Sequence, residues 1–193
     1  MPMNRYEAFP TPIFHEELHG IDNRAIEKYA YELREKDTAG IGKIPEDGWQ
    51  SNYITSGTKE YDILLYEIID KMAEVCRNLQ IPDVQLFNNW ININQPNTYI
   101  NQHCHEGATF SGVYYIKTPK NCGNLKFRRP DEGRYYLPMM SQENDFLAEH
   151  WEVNAVERLM LIFPAWMPHH VLLNKSNEDR ISMSFNFGVR LAN

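Results

Sequence analysis

The sequence contains no C-x-x-C pair and only three cysteines, Cys76, Cys104 and Cys122. An odd number at irregular spacing does not make a disulfide framework, and a zinc knuckle needs closely spaced thiolate pairs. No apolar run approaches the roughly 20 residues of a membrane helix. The opening MPMNRYEAFPTPIF lacks the basic segment and apolar stretch of a signal peptide. A reducing, cytoplasmic setting is therefore expected, with no membrane partner. Basic residues are also scarce. The net charge is −7, and the densest basic spot, KFRRP at 126–130, is short. It reads as a solvated strand end. This balance favours solubility and argues against nucleic acid as an unassisted partner, because phosphate binding needs concentrated Lys and Arg. Internal repeats and low-complexity segments are absent.

What is present is a globular composition over 193 residues, 42% hydrophobic and 12% aromatic. This is enough for one domain with a real core. The first 83 residues read as helix and loop. NRAIEKYAYELREKD (23–37) has Ile26, Tyr29, Ala30 and Leu33 at helical spacing, with Asp22 or Asn23 as cap. TKEYDILLYEIIDKMAEVCRNLQ (58–80) is the clearest helix. Its stripe is Tyr61, Leu64, Leu65, Ile68, Met72 and Val75, behind a Thr58 cap. Residues 38–57, rich in Gly, Ser and Pro, read as a long loop serving as a lid or a flap.

From residue 84 the period changes to two. VQLFNNWININ alternates Leu86, Asn88, Trp90 and Asn92 against Phe87, Asn89, Ile91 and Ile93. Short β-rich runs follow at 110–117, 123–129, 151–156, 158–164, 169–174 and 180–189, with turn residues between them. Strands without intervening helices cannot form a parallel α/β sheet. The expected class is mainly β with flanking helices: an antiparallel sandwich or jelly roll over 84–193, supported by 1–83, in a single domain 1–193.

Seven histidines are present, and four of them fall in two clusters, His103/His105 and His169/His170. Residues i and i+2 of a strand share a face, so His103 and His105 can aim at one point while Cys104 turns away. His169 or His170, at the start of a later strand, can supply a third ligand; adjacent strand residues face opposite ways, so only one of them can. Arg180 then begins DRISMSFNF, with Ser182 and Ser184 on its side and Met183 and Phe185 on the other. An inward arginine needs an anion, and a guanidinium fork fits a carboxylate with a serine hydroxyl beside it. An exposed Arg180 paired with Glu178 or Asp179 is the plainer alternative.

Together NTYINQHCHEGATFSGVYYI, GNLKFRRP, LIFPAWMPHHVLLN and DRISMSFNF resemble the 2-oxoglutarate and Fe(II)-dependent oxygenases. The nearest resemblance is to a small bacterial and phage-type group distantly related to prolyl hydroxylases, over residues 86–189. The resemblance implies a double-stranded β-helix (jelly-roll) and an oxygenase of hydroxylase type with Fe(II) and 2-oxoglutarate as cofactors. For a phage-encoded chain the setting would be the host cytoplasm. It also implies that His103 is the first ligand of an H-x-D/E motif, that His105 stands where the superfamily usually has the carboxylate, and that His169 is the distal histidine. Arg180, Ser182 and Tyr115 would bind the distal carboxylate of 2-oxoglutarate, with Tyr114 facing away. A three-His face is neutral and also suits other non-haem iron enzymes or zinc. Glu106 could supply an acid only through a bulge. Two rivals stay open: a three-His metalloenzyme that does not use 2-oxoglutarate, and a non-enzymatic jelly-roll binding module. The substrate, a small molecule or a protein side chain, is not readable. Asn88, Trp90 and Asn92 are candidates for the barrel mouth, Trp166 lies close to the distal histidine, and Tyr135, Tyr136, Met139 and Met140 are candidates for a lid or a homodimer interface.

Overall fold

The computed structural model describes residues 9–41, 47–131 and 148–189. The elements are β1 (Phe14–Glu17), α1 (Asn23–Lys36), β2 (Trp49–Gln50), α2 (Lys59–Leu79), β3 (Gln85–Asn94), β4 (Ile100–His103), β5 (Phe110–Lys117), β6 (Leu125–Arg128), β7 (His150–Val153), β8 (Leu159–Pro164), β9 (His169–Val171) and β10 (Arg180–Gly188). A six-stranded sheet runs β1-β8-β5-β10-β3-β2, and a four-stranded sheet runs β4-β9-β6-β7. All pairings are antiparallel. The lid and interface candidates Tyr135, Tyr136, Met139 and Met140 lie outside the described residues.

The large sheet is covered on both faces, which explains near-continuous apolar runs such as LMLIFP. One face of its strands (Ile91 and Ile93, Tyr114 and Ile116, Met160 and Ile162, Ile181, Met183 and Phe185) packs against the stripe of α2 and against Ile26 and Ala30 of α1. The other face, with Tyr115, Leu161 and Phe163, meets Leu125 and Phe127 of the small sheet. The candidate site side chains Tyr115, His169, Arg180 and Ser182 lie in this second, inner space.

Local chemistry sets the helices. Thr58 accepts from the Tyr61 N–H at 3.3 Å, Glu60 and Asp62 occupy the first turn of α2, and Arg77 the last. Of the two cap candidates for α1, Asp22 is the cap. Asn23 is buried instead. Its amide donates to the Ile116 carbonyl at 2.9 Å and accepts from Tyr114 Oη at 2.7 Å, tying α1 to β5. Close sheet packing depends on Gly112. A Cβ there would lie 2.2 Å from the Phe185 ring of the neighbouring β10.

The structure departs from the sequence reading at three places. Residues 1–83 contribute two strands, β1 and β2, that join the edges of the large sheet; at four and two residues they are too short to show a period. The alternation in β3 breaks at a register shift opposite Asn186/Phe187. Leu86 therefore packs towards the helix-covered core and Phe87 is exposed, against the expected sides. Finally, β4 ends at His103, so His105 is not a strand residue.

Candidate metal centre

Three imidazoles converge at the junction of β4, the following turn and β9. One nitrogen from each of His103, His105 and His169 lies within 4.8 Å of the others. The Nε2 atoms of His105 and His169 are 3.3 Å apart. His103 and His169 face each other directly across the β4–β9 ladder. His105 arrives differently. The chain leaves the ladder after His103, its path fixed by His105 N–H donating to the Ala165 carbonyl at 3.0 Å and Cys104 Sγ donating to the Trp166 carbonyl at 3.2 Å. Cys104 is exposed and turned from the cluster, as the alternation implied, though a turn rather than a strand turns it.

The tautomers suit ligation. Nδ1 of His103 lies 2.8 Å from the Asn101 carbonyl, and Nδ1 of His169 lies 2.8 Å from the Met167 carbonyl. Each Nδ1–H therefore donates to a carbonyl two residues earlier, and Nε2 is left with its lone pair. Burial pushes His169 down to about 3 and His105 down to about 4, with His103 lowering both further. Both are neutral at ordinary pH, the state a metal requires. Of the adjacent pair, only His169 belongs to the cluster. His170 points to the other face of β9, near His150. Glu106 is exposed in the turn and outside the cluster.

Beside the imidazoles lies a cavity of about 90 Å³, lined among others by Trp90, Tyr115, Phe163, Arg180, Ser182 and Ser184. Arg180 is 2% exposed. Its Nη1 donates to the Gly123 carbonyl at 2.9 Å and its Nη2 to Asn94 Oδ1 at 2.6 Å, while Nε is buried with no partner among the described residues. Neither expected acid pairs with it: Asp179 bonds Arg34 at 3.1 Å and Glu178 lies 3.4 Å from Lys117. A buried guanidinium without an acid is costly unless an anion enters. Burial raises the Tyr115 hydroxyl to about 12, so it stays a donor. Three converging imidazole nitrogens, and in the same cavity a buried arginine that no acid among the described residues neutralises, fit a divalent cation and a dicarboxylate. Tyr114 faces the opposite core.

Trp90 and Asn92 line this cavity, and Asn88 bonds Asn186 one row further along the sheet. Trp90 Nε1 donates to Asn92 Oδ1 at 3.1 Å, and Asn92 Nδ2 donates to Ser184 Oγ at 2.9 Å. Trp166 is exposed, two positions before the Pro168–His169 step. Sequence reasoning missed Gln50, Asn94 and Gly123. Asn94 was accessible, since it continues the Trp90–Asn92 side of β3. Gly123 acts through its carbonyl, which leaves no mark in a side-chain pattern.

The fold is a double-stranded β-helix, and its inner space holds three histidines that could ligate a metal ion beside a buried arginine. The sequence profile of the family described as "Putative 2OG-Fe(II) oxygenase" matches residues 88–186, and the chain belongs to this family of 2-oxoglutarate and Fe(II)-dependent oxygenases. No curated protein sequence matches the chain. Among solved structures, the non-haem α-ketoglutarate-dependent carbocyclase SnoK from nogalamycin biosynthesis is similar with TM-score 0.66 at 15% identity, over 92% of this chain and 79% of that one. A prolyl-4-hydroxylase from Pseudomonas putida is similar with TM-score 0.64 at 16% identity, over 93% and 94%. HygX from Streptomyces hygroscopicus, solved with nickel and 2-oxoglutarate bound, is similar with TM-score 0.61 at 12% identity, over 92% and 82%. At these identities the likeness is one of fold. No helix among the described residues is long and apolar enough to cross a membrane.

Proposed function

We propose that His103, His105 and His169 hold Fe(II), that Arg180, Ser182 and Tyr115 hold the distal carboxylate of 2-oxoglutarate, and that the protein hydroxylates a small molecule or a protein side chain. The observation that supports this most is the shared cavity, with three imidazoles at one side and, at the other, a buried guanidinium that no acid among the described residues neutralises. Iron and 2-oxoglutarate, when bound, would supply the oxidising chemistry with dioxygen as co-reactant: one oxygen atom would enter the cosubstrate, which loses carbon dioxide to become succinate, and the other would enter a C–H bond of the substrate to give C–OH. The chain's own residues bind, orient and exclude water. The carbonyls of Asn101 and Met167 fix two imidazoles so that Nε2 faces inward. Arg180 offers Nε–H and its remaining Nη–H groups to a carboxylate. Tyr115 donates a hydroxyl proton from a buried position, and Trp90 and Phe163 wall the space from solvent. Tyr53, itself exposed, lies with its ring 6.0 Å from that of Trp90, and makes an aromatic flank at which a substrate can rest. The three cysteines are free, which supports a reducing, cytoplasmic setting.

The test is oxygen-dependent succinate formation. Iron-loaded protein supplied with 2-oxoglutarate should release succinate slowly without substrate, and Arg180→Ala should lose this at low cosubstrate concentration. No succinate from the wild type under any condition contradicts the reading. One observation favours a second reading: the donor set is all nitrogen, which also suits three-His enzymes that do not use 2-oxoglutarate. Turnover unaffected by Arg180→Ala would select it.

A further inference from the structure

Arg180 is held by two acceptors, and neither is charged. It opens β10 directly opposite Asn94, the last residue of β3. Asn94 is 1% exposed and makes three bonds. Its Oδ1 accepts from Arg180 Nη2 at 2.6 Å, its Nδ2 donates to the Asp47 carbonyl at 2.9 Å, and its own carbonyl accepts from Asn174 Nδ2 at 2.8 Å. The bond to Asp47 fixes which way the amide points, so an oxygen faces the guanidinium. The second acceptor, the Gly123 carbonyl, sits where φ is +87° and where a Cβ would lie 2.0 Å from the Leu172 carbonyl oxygen. The acids nearest in sequence are occupied elsewhere, Asp179 with Arg34 and Glu178 with Lys117.

Two neutral oxygens can orient a guanidinium but cannot discharge it. A carboxylate in either place would do both. It would turn the arginine into one half of a buried ion pair, and the pocket would have little attraction left for an incoming anion.

We propose that Asn94 is a positioning residue whose neutrality is required: it fixes the Arg180 fork while leaving its full charge for the distal carboxylate of 2-oxoglutarate. The proposal rests on the reading of Arg180 as the cosubstrate anchor.

The experiment is calorimetric titration of Mn(II)-loaded protein, without oxygen, with 2-oxoglutarate and separately with pyruvate, which lacks the distal carboxylate. Asn94→Ala removes the acceptor from Arg180, along with the bond to the Asp47 carbonyl, and should weaken 2-oxoglutarate binding by about fivefold. Asn94→Asp keeps an oxygen on Arg180 but adds a charge, and should weaken it by about thirtyfold or more. Neither change should alter pyruvate binding. A purely structural role predicts that pyruvate binding weakens together with 2-oxoglutarate binding. Asn94→Asp binding 2-oxoglutarate as well as Asn94→Ala overturns the proposal. Should Asn94→Asp not fold, Asn94→Ala decides alone, and wild-type affinity in that variant overturns it. A wild type that binds no 2-oxoglutarate sinks the function reading itself, a separate and recognisable result.

Discussion

At Arg180 a positive charge is buried against two neutral oxygens, and one nitrogen has no partner among the described residues. Such a residue contributes little to stability. Replacing it by methionine relieves the desolvated charge but strands the Asn94 and Gly123 oxygens, and the two effects offset. Arg180→Met should shift the stability measured by urea denaturation by no more than about 2 kcal/mol in either direction. The same variant should lose measurable 2-oxoglutarate binding. A loss of stability well beyond that figure would mark Arg180 as structural. At this scale part of the candidate site was legible, because strand alternation sets Arg180 and Ser182 on one side of β10, whereas Tyr115 entered through the family resemblance. His105 was placed in the cluster on a strand that ends two residues too early; a turn anchored on Ala165 brings it there instead. The backbone contacts that set the imidazole tautomers and hold Arg180 were not legible, since carbonyls carry no sequence signature.

At the scale of elements, long amphipathic segments were readable and short edge strands were not. Every residue of the expected α2 stripe is buried, because 21 residues give the period room to show. Strands β1 and β2 exist through pairing with β8 and β3, a tertiary effect no local pattern announces. The shift in β3 opposite Asn186/Phe187 is likewise a property of two strands together. Close packing between β5 and β10 gives a direct test. Gly112→Ala places a methyl against the Phe185 ring and the Leu161 carbonyl, 2.2 and 2.5 Å from its Cβ. It should cost about 1–3 kcal/mol in chemical denaturation. A change of under about 0.5 kcal/mol would mean that the strands give way easily.

For the whole molecule, the buried imidazoles couple stability to pH. His105 and His169 fall from an ordinary 6.5 to about 4 and about 3, mainly through burial. In the unfolded chain both regain ordinary values, so below about pH 6.5 the unfolded state binds more protons. Stability of the metal-free protein should therefore be fully present above pH 6.5 and decline as pH falls towards 4 and then 3. The slope near pH 5 should reach at most about 2.7 kcal/mol per pH unit for two protons. Denaturation midpoints in chelator across this range measure it, and a His105→Gln, His169→Gln double variant should flatten the curve. An unchanged slope in that variant would place the acid sensitivity elsewhere.

A single iron and 2-oxoglutarate site built from three histidines and one arginine has a spectroscopic signature. Anaerobic titration of metal-free protein with Fe(II) and then 2-oxoglutarate, followed by visible absorption, reads it. A weak charge-transfer band should saturate at one equivalent of each per chain and be lost in His105→Ala and His169→Ala. In Arg180→Ala it should require far more 2-oxoglutarate. A spectrum unchanged by 2-oxoglutarate, or a band of equal intensity and affinity in His105→Ala, would contradict such a site.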